Sequence, residues 1–492
     1  GESWDKIQAV VGNSFRMRGP HQNVYTMAAN AVLRLIKQYD VDPATIGYLA
    51  LGTESSTDNS AGAVIVKGMV DKALREEGCP EINRHCEVPE FKHACLGGVY
   101  AMKGAARYLA FDGQGRTAIV VSADIAEYAR GTTGEPTQGA GAVAVLMESD
   151  PKLLSIDLHQ AGSAADYRGP DFRKPFIRFS QQEPPRTGQL RDFPVFNGKY
   201  STTCYVDEVL AALDDMFGKR NVARSSYFRD LTAVFLHRPY TRMPETGWAL
   251  GYLFALASGS QTDREELESY ADAANVTLDA LLSEMASNPR VYELVERRNI
   301  DDEVYPLGMT VLRSFRKYPA YQEVVGKKMQ YGSELMKQVG NLYTAALPAW
   351  MAAGLEDAAA SGVDIDGHEI LTVGYGSGDA AEVIPMQLVT GWRDNAKLIS
   401  FERCFRRLRR KRNRILPLRR RGVILDAFPR APAGTSLRLD TRFSATDRAP
   451  CGRHQRGLPA CPRPAPRDPY LRRHGTSKRR HRKMRLSPPL RY

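Results

Sequence analysis

Apolar positions recur at helical spacing over 22–39, where Val24, Met27, Ala31, Leu35 and Ile36 share one face. Val41-Asp42-Pro43 ends that segment, and Ile46–Leu51 follows as a short apolar run of strand type. Ala61–Glu77 returns to the helical period, and Phe91–Leu109 predicts a third helix with Ala94, Val99, Met102, Ala105 and Leu109 inward. Thr117–Ser122 (TAIVVS) and Gly139–Met147 (GAGAVAVLM) are continuous apolar runs of the kind buried strands show. Further on, Tyr205–Phe217, Leu250–Leu256 and Val276–Met285 are predicted helical, and Leu231–Leu236 is a predicted strand ending on His237. Lys327–Ala360 is predicted as a long helical stretch containing Val339-Gly340-Asn341. Glu369–Val373 is a predicted strand that runs into Gly374-Tyr375-Gly376-Ser377-Gly378. Strands alternating with helices predict an α/β fold with at least one mostly parallel sheet. The rhythm repeats, which suggests two halves, 1–160 and 161–400, the second carrying helical insertions.

Charge changes the picture of the last fifth. The 492 residues carry a net charge of +12, but residues 401–492 hold 28 Lys+Arg against 5 Asp+Glu. The remaining 400 residues hold 40 basic and 51 acidic side chains, so the body is acidic. Residues 401–492 also contain eleven prolines and no helical or strand period, a composition that predicts disorder. Of their basic residues 25 are Arg and 3 are Lys. Two origins fit that bias: out-of-frame translation of a GC-rich gene from about residue 403, or a natural basic extension binding anionic surfaces or nucleic acid. Seven cysteines without a CxxC pair argue against a disulfide scaffold or zinc module, and no metal is expected. The longest nearly apolar stretch, Thr344–Leu355, is too short to span a membrane, and Gly1–Gly19 is too polar for a signal peptide. A reducing, cytoplasmic setting is the expectation.

Three residues stand where chemistry is done in α/β proteins. Cys95, in His93-Ala94-Cys95-Leu96-Gly97-Gly98, is placed at a helix start, where the dipole favours a thiolate and an adjacent oxyanion. The two glycines are read as space for a substrate. Most free cysteines are simply small buried hydrophobes. His237 ends a strand, and Glu54 follows the Ile46–Leu51 strand; either alone is more simply a satisfied polar group. Together, Cys with His suggests acyl transfer through a thioester, and the carboxylate suggests a proton moved as well, from carbon. The glycines of 374–378 are read as a turn presenting a backbone N–H to a substrate oxygen rather than as a dinucleotide loop.

With those residues in hand, the chain resembles the 3-hydroxy-3-methylglutaryl-coenzyme A synthases, of the thiolase-like condensing-enzyme superfamily. The matching motifs are Gly52-Thr53-Glu54-Ser55-Ser56-Thr57-Asp58, Ala94-Cys95-Leu96-Gly97-Gly98 and Ala123-Asp124-Ile125-Ala126-Glu127-Tyr128. Then follow Pro136-Thr137-Gln138-Gly139-Ala140-Gly141-Ala142, His237-Arg238-Pro239-Tyr240, Val339-Gly340-Asn341-Leu342-Tyr343-Thr344 and Tyr375-Gly376-Ser377-Gly378. They stand in the family's order over about residues 10–395. The resemblance implies a five-layered αβαβα fold, a homodimer and a place in mevalonate and isoprenoid synthesis, with acetyl-CoA and acetoacetyl-CoA as substrates and no further cofactor. It implies Cys95 as the acetylated nucleophile, Glu54 as the base acting on the acetyl methyl, and His237 as the residue at the acceptor ketone. Backbone N–H groups of Cys95 and Ser377 would form the oxyanion hole. Asp124 and Asp166 would organise the pocket, and Thr137, Ser201 and Asn341 would contact substrate or coenzyme.

Three features depart from the family pattern. Arg242 stands where the family usually has a coenzyme-contacting Lys. Cys86, with His85 beside it, has no family role. The family's first strand and its final segment are both expected to be missing. Competing readings are a β-branching synthase acting on a carrier-protein-bound ketone, a fatty-acid-type ketoacyl synthase, which Glu54 as base disfavours, and a nucleic-acid-binding protein acting through the tail.

Overall fold

The computed structural model describes residues 4–129, 131–168, 171–173, 195–196, 198–297 and 302–404. Its main elements begin with α1 (Val24–Gln38), β1 (Ile46–Gly52), α2 (Gly62–Glu76), β2 (Glu90–Phe91), α3 (Gly97–Phe111), β3 (Thr117–Ala126) and β4 (Gly139–Met147), all but β2 falling on segments whose hydrophobic pattern predicts them. There follow β5 (Leu154–Ile156), β6 (Gly162–Ala165), α4 (Gly198–Lys219), β7 (Ala233–Leu236) and α5 (Arg242–Ala257). The last are α6 (Ala346–Ser361), β8 (Glu369–Gly376) and β9 (Ala380–Leu388). Local chemistry sets the helix starts. Asn23 and Thr26 close a reciprocal capping box on α1. The α2 N-terminus is capped from a distance, by Glu90 of β2 accepting from Gly62 N at 2.7 Å.

One sheet runs β2-β1-β3-β4, parallel except for β4. The second runs β5-β9-β8-β7, with β6 also on β9; only β7 and β8 pair in parallel. The chain passes from one sheet to the other between Met147 and Leu154. Helices α1 and α2 cover the outer face of the first sheet through Val32, Ile36, Val66 and Val70. Helices α3 and α6 lie between the sheets, and α4 covers the far side of the second. This is the αβαβα layering. Every position of β1 is buried, because helices lie on both its faces, and so it reads as an unbroken apolar run.

Two predicted helices are shorter than their pattern. The segment 91–96 precedes α3 as strand and turn, because Phe91 O accepts from Thr53 N at 3.2 Å beside β1. The expected long helix over 327–360 is broken, with α6 starting only at Ala346. Gly332, Gly340 and Tyr343 take left-handed φ values of 69°, 77° and 48°. The segment between them bonds to earlier backbone: Arg16 N donates to Val339 O, and Asn341 N donates to Thr137 O at 2.7 Å. The segment read as disordered lies outside the described residues from 405 on. Residues 401–404 are helical; Phe401 packs on the main core, and Glu402 N donates to Glu356 at 3.0 Å.

Candidate active site

Glu54 and Cys95 meet at the end of β1. The Cys95 Sγ lies 4.0 Å from Glu54 Oε2. Cys95 is not in the helix but two residues before its first residue, in a turn whose Ala94 is held at φ 42°. A non-glycine residue pays of order 1 kcal/mol for that backbone, so the packing around it must hold the turn. Gly97 and Gly98 allow this packing, and they make room for the Phe91 backbone and the Ser122 side chain rather than for substrate. A Cβ on Gly97 would lie 2.6 Å from Phe91 O, and one on Gly98 would lie 2.2 Å from Ser122 Oγ.

Asp124 builds the other wall from underneath. Its side chain is fully buried. Its Oδ1 accepts from Thr53 Oγ1 (2.9 Å), Glu54 N (2.9 Å), Ser55 N (3.0 Å) and Ser55 Oγ (2.7 Å). Its Oδ2 accepts from Thr344 N at 3.0 Å and from Thr344 Oγ1. Asp124 therefore ties the Glu54 loop to the 341–344 segment, and no face of it is left for substrate. Above it Tyr128 and Tyr343 form a buried edge-to-face pair, ring centroids 6.4 Å apart, against which Cys95 packs. Burial pushes both phenols above their ordinary range, so both stay protonated. The sequence motifs contain both tyrosines but assign them no role.

His237 follows β7 and donates its N–H to Val373 O of β8 at 2.7 Å. The ring is 2% exposed, and its Nδ1 has no hydrogen-bond partner. Burial pushes it down to about 3, so the imidazole is neutral at pH 7. It lies along Tyr375, with centroids 6.4 Å apart and planes 24° apart. Gly374 and Gly376 are inside β8, not in a turn. A Cβ on Gly376 would come within 2.5 Å of His93 O, and one on Gly374 within 2.6 Å of Leu96. These glycines let β8 lie directly on the Cys95 turn, and Ser377 follows at the strand's tip. The strand thus carries His237's neighbour Tyr375 and Ser377 to the Cys95 side of the molecule.

The remaining predicted residues divide. Asn341 is buried, and its Oδ1 accepts from Tyr343 N at 2.9 Å, shaping the turn that presents Tyr343. Thr137 joins the same arrangement through its carbonyl, while its hydroxyl donates to Gly134 O. Ser201, in the first turn of α4, donates to Asp171 O at 3.3 Å. Arg242 opens α5 at the surface, 3.2 Å from Glu245. Asp166 is not a buried organiser: its side chain is half exposed, 3.4 Å from Arg168 Nε. The buried acid is Asp171, five residues on, which accepts from Tyr375 Oη at 3.1 Å. Cys86 is buried away from these groups, and burial pushes its thiol up to about 12.

Among the described residues, Asp171, Cys204 and Asp379 bring metal-type donor atoms within 4.8 Å of one another. The chemistry does not suit a cation: burial keeps the Cys204 thiol protonated, and Arg168 already supplies positive charge to the cluster.

The family described as hydroxymethylglutaryl-coenzyme A synthase N terminal matches residues 11–152. A hydroxymethylglutaryl-CoA synthase of Haloferax volcanii is 28% identical over 384 residues, 78% of this chain and 76% of that one. One from Aspergillus fumigatus is 26% identical over 377 residues, 75% and 72% of the two chains. The solved structure of MvaS in complex with 3-hydroxy-3-methylglutaryl coenzyme A superposes with a TM-score of 0.59 at 25% identity, covering 82% of each chain. A curacin-pathway HMG synthase with an acetyl donor carrier protein shares the fold, at TM-score 0.54 and 17% identity. A cysteine and a carboxylate 4.0 Å apart beside one strand end, on a frame shared with these proteins over most of its length, make the chain similar to the hydroxymethylglutaryl-CoA synthases in sequence and in fold.

Proposed function

We propose that the protein condenses acetyl-CoA with acetoacetyl-CoA to give 3-hydroxy-3-methylglutaryl-CoA. The observation that carries this is the Glu54 carboxylate 4.0 Å from the Cys95 sulfur, on a loop pinned by Asp124. The Cys95 sulfur attacks the acetyl thioester carbon, the carbon–sulfur bond to coenzyme A breaks, and the proton lost by the Cys95 thiol goes to the departing sulfur so that coenzyme A leaves as a thiol. Glu54 then takes a proton from the methyl group of the acetyl-cysteine, which lies one thioester beyond the sulfur. The resulting carbon nucleophile adds to the ketone of acetoacetyl-CoA. The neutral His237 donates a hydrogen bond to the ketone oxygen as it becomes an alkoxide, and the proton that Glu54 took from the methyl group is returned to that oxygen to give the hydroxyl and restore the carboxylate. Backbone N–H groups of Cys95 and Ser377 stabilise the thioester oxyanion. Water finally hydrolyses the enzyme thioester, giving the free carboxylate of the product and restoring Cys95.

No cofactor beyond the coenzyme A thioesters enters this scheme. Arg242 takes the coenzyme side, and Thr137, Ser201 and Asn341 shape the substrate channel. A cytoplasmic location suits a thiol that must stay reduced; among the described residues no helix is long and apolar enough to cross a membrane. We also infer a homodimer. Among the described residues β4 pairs on one edge only, and beside it lies a groove of about 660 Å³ lined by Val143, Val145 and Met351. A second copy's β4 supplies a matching edge. Sedimentation velocity should show a dimer at micromolar concentration; a monomer there rejects it.

Intact-protein mass spectrometry after acetyl-CoA alone should show one acetyl group, absent in Cys95→Ala. Adding acetoacetyl-CoA should discharge it into product. Acetylation discharged only by an acetoacetylated carrier protein would move the activity to carrier-bound ketones. No acetylation, or product from Cys95→Ala at a tenth of the parent rate, would reject the covalent route.

A further inference from the structure

Next to the Ser377–Gly378 turn lies a buried polar cluster that the proposed steps leave unused. Asp171 and Asp379 are 0% and 3% exposed. Each has one oxygen engaged and one without a partner. Asp171 Oδ2 accepts from Tyr375 Oη, and Asp379 Oδ1 accepts from Gly378 N; Asp171 Oδ1 and Asp379 Oδ2 have no donor. The two carboxyls are neighbours, since with Cys204 their ligating atoms fall within 4.8 Å of one another. Ionised oxygens only accept, so two such groups shut away from water cannot satisfy each other. One hydrogen between them satisfies both and removes the like-charge repulsion. Burial first, and then the charge of Asp171, push the Asp379 carboxyl up to about 9.

The surrounding groups leave room for one negative charge, not two. Arg168 acts on the pair but is already engaged by Asp207 at 2.7 Å and Glu208 at 2.5 Å. The other groups facing the pair are Cys204 and Tyr200 of α4 and Tyr375 of β8, all kept protonated by burial. The pair is also well placed. Asp379 exchanges backbone hydrogen bonds with Asp166, at 2.8 and 3.2 Å, and Arg168 N donates to Gly378 O. Two residues before it comes Ser377, and four before it comes Tyr375, whose ring lies along His237.

We propose that Asp379 and Asp171 act as one singly protonated unit that positions Tyr375 and the Ser377–Gly378 turn, and through Tyr375 the His237 ring, for the condensation step. Both are positioning residues. The inference rests on the condensing activity proposed above, and its test includes a reading that needs no substrate.

An Asp379→Asn side chain carries a permanent donor where the shared hydrogen sits; Asp379→Ala carries none. Asp379→Asn should keep kcat within about threefold of the parent at neutral pH. Asp379→Ala should lower kcat at least about tenfold, with Cys95 acetylation by acetyl-CoA and the KM for acetoacetyl-CoA each within about threefold. The parent's kcat should fall as pH rises through about 9, where the shared proton leaves, and this limb should be absent in Asp379→Asn. Infrared difference spectra of the enzyme alone, between about pH 8 and pH 10.5, should show a protonated-carboxyl band in the parent that Asp379→Asn lacks. At the lower pH Glu208, raised to about 7, is already ionised and does not contribute. An Asp379→Asn enzyme as impaired as Asp379→Ala, a retained alkaline limb, or a parent without the band would each overturn the proposal. If Asp379→Ala does not fold, the Asp379→Asn profile and the band decide. A parent with the band but no condensation would count against the proposed activity and not against the shared proton.

Discussion

Asp124 touches no substrate in the proposed mechanism, yet its removal should be among the most damaging single changes in the protein. Six donors converge on this fully buried carboxylate, three of them backbone N–H groups of Glu54, Ser55 and Thr344. A hydrogen bond to a charged acceptor contributes about 1.5–3 kcal/mol, and a buried donor left without an acceptor costs about 1–3 kcal/mol. The terms do not add, because the Glu54 loop relaxes when its acceptor goes. Asp124→Ala should therefore cost about 3–5 kcal/mol, against a total stability of about 5–15 kcal/mol for a typical domain. Asp124→Asn separates the two sides of the residue. Its carbonyl oxygen can keep the four donors of 53–55, while its amide turns donors towards the Thr344 N–H. That substitution should cost about 1–3 kcal/mol. The catalytic effect should exceed the stability effect, because a base displaced by about 1 Å loses on the order of 10²-fold in rate. Denaturant unfolding gives the first quantity, and acetylation and condensation rates of the folded variant give the second. Asp124→Ala should acetylate Cys95 normally and condense poorly, whereas Asp124→Asn, which keeps the acceptor of the Glu54 loop, should condense nearly as the parent does. An Asp124→Ala stability within about 0.5 kcal/mol of the parent, together with an unchanged condensation rate, would refute the idea that Asp124 holds Glu54 in place.

Glu54→Gln should acetylate at the parent rate and lose about 10²–10⁴-fold in condensation; equal losses in both steps would make Glu54 structural. His237 is held at about 3, below its unfolded value of about 6.5, so the folded state binds fewer protons between those limits. Its contribution to stability is complete above about pH 6.5 and is lost as pH falls towards 3, at up to about 1.4 kcal/mol per pH unit. His237→Asn should flatten the acid limb of the stability curve, and an unchanged limb would show that the ring is not buried neutral. Gly98→Ala forces a methyl to within 2.2 Å of Ser122 Oγ and should cost at least about 1–3 kcal/mol, partly recovered by Ser122→Ala beside it. A chain ending at residue 404 should keep the activity of the full chain, whereas one ending at 400 should melt lower, because Phe401 and Glu402 pack on the body; equal melting of the two would reject that packing.

The alternation of elements was legible where a strand is a short, continuous apolar run, as Ile46–Gly52 and Thr117–Ala126 are, because helices cover both its faces. Gly139–Met147 is observed with the same bounds that its composition predicts. Cys95, Glu54 and His237 could be singled out as candidates as well, Glu54 and His237 because each follows an apolar strand run and Cys95 because it precedes a helix. What the one-dimensional pattern could not carry was contact between distant segments. Residues 327–360 have helical periodicity but do not form one helix, because Asn341 and Val339 pair with backbone some 200 and 320 residues earlier in the chain. Gly97, Gly98, Gly374 and Gly376 looked like space for a ligand or a turn; they are the places where the strands pack against the Cys95 turn and the start of α3. Asp166 and Asp171 are indistinguishable by type and local composition, and only the packing of Tyr375 and Asp379 decides which is buried. The order of apolar and polar residues thus determined which segments are strands and helices and which side chains end them. Which of those ends meet, which carboxyl keeps a proton and which glycine yields to a backbone were decided by tertiary packing, because burial and hydrogen-bond partners are properties of neighbours in space.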